Sequence, residues 1–142
     1  MISYALTSAT GWLMLILLVA IVAYPFLLRA GLLGPSQPFL KRMRFHYWLG
    51  YIFAGTLGIH LLTSMSPALM AAVNSASLYA ATAALVLVAV QIWLGSQLTS
   101  PRLALRRLMR RWHFWTMLAL VGFILVHVAL ASPLFQLFFG GA

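Results

Sequence analysis

The sequence predicts an all-α integral membrane protein: a four-helix bundle made of two hairpin repeats, with both termini outside. Three observations carry this. Of the 142 residues, 64% are hydrophobic and only 6% charged, far too little charge to cover a soluble domain of this size. The apolar residues fall into four runs, each near the roughly 20 residues that a hydrocarbon core of about 30 Å requires. The nine Lys and Arg residues, unopposed by any Asp or Glu, cluster between those runs.

The runs cover residues 9–28, 45–65, 77–95 and 112–131. The first has Pro25 near its end. The segment before it, MISYALTSATG, carries no Lys or Arg, so it reads as a retained helix rather than a signal peptide. The second run stops at Ser66-Pro67 and the fourth at Ser132-Pro133, where proline cannot continue a helix. The tail LFQLFFGGA is apolar but short, suiting the membrane interface or a partner surface. Residues 1–142 read as one transmembrane domain.

Arg29, Lys41, Arg42 and Arg44 lie in or beside the connection between the first and second runs. Arg102, Arg106, Arg107, Arg110 and Arg111 lie between the third and fourth. Both connections then share one face of the membrane, and the positive-inside rule makes it cytoplasmic. The expected location is the cytoplasmic (inner) membrane of a prokaryote, with the bilayer itself as the first partner. A charge of +9 spread this way is not a nucleic-acid face. No acidic pair or Gly-rich phosphate loop is present to suggest hydrolysis or phosphate binding. The absence of cysteine excludes disulfides, iron–sulfur clusters and c-type haem attachment.

The second and fourth runs repeat one another at an offset of 67 residues. Arg44 matches Arg111, His46 matches His113, Trp48 matches Trp115, Gly55 matches Gly122, and His60 matches His127. The two hairpins therefore have like topology, related by an axis along the membrane normal, and the second and fourth helices run in the same direction.

All four histidines fall in these two helices, fourteen residues apart in each. Fourteen residues rise about 21 Å, and at about 3.5 residues per turn they complete four turns and return to one face. Each helix thus presents two imidazoles at two depths. His46 and His113 share one depth on the cytoplasmic side, and His60 and His127 share one near the outer side. Each pair has the right composition to hold haem iron from both faces of the macrocycle, so two b-type haems are the expected cofactors. The blander reading is that histidines hydrogen-bond between membrane helices. Four intramembrane histidines in one pattern favour function, since buried polar groups in hydrocarbon are costly.

Other residues fit the same picture and also have plain explanations. Gly55, Gly58 and Gly122 lie between the histidine levels and leave room for a flat macrocycle, or simply let helices approach. Arg44 and Arg111 precede the inner histidines by two residues and are candidates for the haem propionates, or act only as topology signals. Trp48, Trp112 and Trp115 suit an interfacial belt.

The segments RFHYWLGYIFAGTLGIHLL and RWHFWTMLALVGFILVH resemble the paired-histidine helices of the membrane dihaem cytochrome b families. These are the respiratory cytochrome b, ferric-reductase-like transmembrane domains and small four-helix dihaem cytochromes. The resemblance covers the second and fourth helices and the general architecture. It implies bis-histidine ligation by His46 with His113 and by His60 with His127, and electron transfer across the membrane. The extra helices and quinone loops of the respiratory protein are not in this sequence, nor is the flavin and nucleotide domain of complete ferric reductases. The expected role is therefore a cytochrome b subunit working with other redox subunits, and with quinone or a cytoplasmic donor. The alternatives are a stand-alone quinol-linked superoxide oxidase or ferric reductase, and a pigment-binding membrane anchor.

Overall fold

The computed structural model describes residues 2–32, 39–67, 73–98 and 103–131. Among them the chain is all-α, without strands. Helix α1 spans Ile2–Arg29, a single turn α2 spans Phe39–Arg42, α3 spans Arg44–Ser64, α4 spans Ser75–Leu98 and α5 spans Leu103–Ala131. The tail 132–142, including LFQLFFGGA, lies outside the described residues, as do the tips of all three connections.

Two hairpins result, one from α1 and α3, the other from α4 and α5. In the first, a 3-4 spaced seam of His46, Leu49, Phe53, Thr56 and His60 runs along α3, with Leu49, Phe53 and Thr56 buried. Such spacing is what holds one helix face against a neighbour. In the second, α4 buries Ser77, Ala80, Ala84, Val88 and Leu94. Small residues at three of those five positions, Ser77, Ala80 and Ala84, let the backbones approach closely, as membrane helix pairs require.

The ends of the elements have local causes. After α1 the chain turns at Gly31, whose φ of +73° suits a residue without Cβ. Leu32 N–H donates to the Leu27 carbonyl at 3.2 Å and Gly31 N–H to that of Leu28 at 3.3 Å, the paired closure of a Schellman motif. At the same end the Tyr24 hydroxyl donates to the Arg42 carbonyl at 2.9 Å, and its ring meets Phe45. Helix α4 is capped by Asn74, whose side-chain oxygen accepts from Ala76 N–H at 2.8 Å.

Helices α1, α4 and α5 are long and apolar enough to cross a membrane. Their outer surfaces are apolar too: Trp12, Ile16, Val19, Val86 and Leu125 are all more than half exposed. A helix that is hydrophobic all round belongs in hydrocarbon. Helix α3 falls short on composition, because two histidines and Gly50, Gly55 and Gly58 dilute its apolar content. Its 21 residues still reach about 31 Å, and it lies alongside α1 from Ile21 at one end to Thr7 at the other.

Two expected boundaries are corrected. Helix α1 begins at Ile2 rather than about residue 9, because residues 2–10, although less apolar, contain no glycine or proline. Helix α5 begins at Leu103 rather than residue 112. Arg106, Arg107, Arg110 and Arg111 occupy its first turns, where long cationic stems can lie along apolar surface with their heads in water.

Candidate functional site

Each hairpin carries two histidines, and the side chains of His46, His60 and His127 are hydrogen-bonded to the neighbouring helix of the same hairpin. On α3, His60 Nδ1 lies 3.1 Å from the Thr7 carbonyl and 3.1 Å from the Thr10 hydroxyl. A carbonyl only accepts, so Nδ1 carries the proton. The Thr10 hydroxyl sends its own hydrogen to the Leu6 or Thr7 carbonyl, at 2.8 and 3.0 Å, and offers its lone pairs to the imidazole. The ring sits close against Gly11: a Cβ there would approach His60 Cε1 to 3.3 Å.

His127 on α5 is held in the same manner. Its Nδ1 lies 3.1 Å from the Ser77 carbonyl and 2.9 Å from the Ser77 hydroxyl. The Ser77 hydroxyl in turn faces the His127 carbonyl at 3.4 Å. Ser77 is fully buried. Thr10 and Ser77 are separated by the same 67 residues as His60 and His127, so the repeat extends to the supports of these histidines.

The other two histidines are supported differently. His46 Nδ1 donates to the Ile21 carbonyl at 3.1 Å. Pro25 stands four residues after Ile21, where a helix would normally supply the N–H for that carbonyl, and proline has none. The break in the helical ladder thus provides the acceptor. His113 lies beside Gly95, whose added Cβ would sit 3.9 Å from its Cε1. The Gln91 amide donates to the His113 carbonyl at 2.9 Å and to the Thr116 hydroxyl at 2.7 Å. Gln91 is the counterpart of Tyr24 at the 67-residue offset; Tyr24 bonds to the chain just before α3, and Gln91 bonds about three turns into α5.

The remaining expected residues take separate places. Gly55 and Gly122 are exposed, and no atom of its own hairpin would lie within 4 Å of a Cβ added at either. Arg44 and Arg111 are exposed and stand about 200° round the helix from the following histidine. Arg111 lines a shallow groove of about 210 Å³ with Leu108, Trp112 and Trp115, on the side of α5 away from His113.

Three of the four imidazoles, those of His46, His60 and His127, are in the state that an axial haem ligand would need. A neutral imidazole whose Nδ1 hydrogen is engaged presents Nε2 as the lone-pair nitrogen, the form in which histidine ligates metals. With no cysteine, such a group would be held without covalent attachment. Among the described residues, no three of His, Cys, Asp or Glu come together; axial haem ligation takes only two protein nitrogens. The sequence pattern pointed to the histidines but not to Thr7, Thr10, Ile21 or Ser77. Applying the 67-residue offset to the first and third runs pairs Thr10 with Ser77, and that was the available signal.

Compared with family models, with curated proteins and with solved structures, the chain matches none.

Proposed function

We propose that this chain carries electrons across a bilayer through two b-type haems, His46 and His113 holding one and His60 and His127 the other, as the cytochrome b subunit of a larger redox complex. The observation that carries the reading is the histidine pattern: two per helix, fourteen apart, repeated at an offset of 67. It is supported by the tethering of His46, His60 and His127 through Nδ1 to a backbone carbonyl.

Bound haem supplies one-electron chemistry, and two levels about 21 Å apart along the helices would divide the membrane into short transfers. The chain's own part is to fix the tautomer and ring orientation of its imidazoles and to keep water away with an apolar surround. It has no Asp or Glu to move a proton, so at a quinone site a haem propionate or a partner subunit would accept it. The basic connections face the cytoplasm of a prokaryotic cell, which puts His46 and His113 at the inner level.

The test is a reduced-minus-oxidised visible spectrum of the purified protein with its haem-to-protein ratio. Two low-spin b haems per chain are expected, one lost in His60→Ala and the other in His46→Ala. A protein without haem overturns the reading and leaves the histidines as packing residues. Haem-loaded protein that oxidises quinol unaided makes it a stand-alone oxidoreductase.

A further inference from the structure

We propose that Thr10 and Ser77 are matched positioning residues for one and the same redox centre, the outer one; this rests on the haem reading above. Three observations lead there. Each hydroxyl meets the Nδ1 of a histidine fifty residues ahead, at 3.1 Å for His60 and 2.9 Å for His127. Each has a backbone carbonyl to take its own hydrogen, Leu6 or Thr7 for Thr10 and His127 for Ser77. Each is buried, with relative exposures of 8% and 0%, in a chain where the described buried polar residues number only three, the third being Thr56.

The chemistry has a definite direction. A hydroxyl whose hydrogen goes to a carbonyl has only lone pairs to offer the imidazole. Together with the adjacent carbonyl it makes a two-oxygen cradle for one Nδ1–H. That cradle excludes the opposite tautomer and withdraws the proton slightly from the ring, which makes Nε2 more basic. A more basic axial nitrogen favours the ferric over the ferrous state. Both hydroxyls therefore lower the midpoint potential of the centre they serve. His46, by contrast, is held by the Ile21 carbonyl, and the position of α4 that corresponds to Ile21 is Val88. Among the described residues the repeated hydroxyl contact belongs to His60 and His127, while His46 is held by a carbonyl.

The experiment is a redox titration of the haem-loaded protein, followed in the visible spectrum, for wild type, Thr10→Val, Ser77→Ala and Thr10→Ser. Thr10→Val keeps the shape and removes the hydroxyl; Thr10→Ser restores it. The expected result is a rise in the midpoint potential of one centre, the same one in both hydroxyl deletions, with the other centre unmoved and Thr10→Ser at the wild-type value. Two haems with unaltered potentials in both deletions would overturn the proposal, as would shifts in different centres. Wild-type protein without haem would instead defeat the functional reading. Nitrogen-15 spectra of the haem-free protein then still decide the structural part. Nδ1-protonated His60 and His127 in wild type, with the Nδ1 signal of each shifted when its hydroxyl is deleted, uphold it; Nε2-protonated rings in wild type, or Nδ1 signals unmoved by the deletions, overturn it.

Discussion

The carbonyl that accepts from His46 Nδ1, that of Ile21 at 3.1 Å, is the one that Pro25 leaves without its helical N–H. In hydrocarbon there is no water to satisfy a freed carbonyl, so an interhelical donor takes its place. Pro25→Ala returns an N–H to position 25 and sets it in competition with the imidazole. We expect α1 to form as well or better, since proline costs about 3 kcal/mol against alanine in a helix interior. The His46 nitrogen-15 signals should move while those of His60 stay. Unmoved His46 signals would show that the proline has no part in holding the ring.

Two glycines that touch histidine rings should respond differently to the same substitution. Glycine to alanine within a helix is worth about 1 kcal/mol in propensity. At Gly95 the new methyl would stand 3.9 Å from His113 Cε1, an ordinary contact, so Gly95→Ala should gain stability. At Gly11 it would stand 3.3 Å from His60 Cε1, against a ring tethered by two oxygens that cannot yield freely. Gly11→Ala should show none of that gain. Unfolding free energies in mixed detergent micelles check the pair, and equal gains in both would refute the difference.

Helix number and pairing were readable from the sequence because both rest on strong signals, runs of membrane length and a repeat with identical histidine spacing. What escaped was finer. The arginines from 106 to 111 read as a loop by charge, yet α5 runs through them, since arginine is a good helix former and its head reaches water from the first turns. Pro25 read as standing near the end of the first run, and it lies four residues before the end of α1; that it frees a carbonyl for another helix was not legible. The supports of His60 and His127 are two hydroxyls and two carbonyls on α1 and α4; hydroxyl side chains are common, and carbonyls have no identity in a sequence. The propionate role expected of Arg44 and Arg111 rested on sequence proximity alone, and two residues on a helix project to nearly opposite sides.

The natural absence of cysteine makes the topology directly testable. Asn74 and Gln97 are exposed residues at opposite ends of α4. If the basic connections face the cytoplasm, Asn74→Cys should react with a membrane-impermeant maleimide added to intact spheroplasts, and Gln97→Cys only in inverted vesicles. The reverse labelling would invert the assignment of inner and outer levels while leaving the hairpins unchanged. Labelling of both residues from one side would contradict α4 as a spanning helix.

Gly55 and Gly122 separate fold from cofactor. No atom of its own hairpin would meet an added Cβ within 4 Å at either position, so nothing within a hairpin requires glycine there. Judged by the hairpins alone, alanine should be better by up to about 1 kcal/mol. If the missing side chains make room for a macrocycle, larger residues must exclude it. Gly122→Leu should therefore leave helix content and haem-free stability equal to or above wild type, while reducing the haem-to-protein ratio. Circular dichroism and the visible spectrum of one preparation measure both. Full haem content in Gly122→Leu would assign the glycine to helix contacts or to nothing; loss of helix content would assign it to the fold.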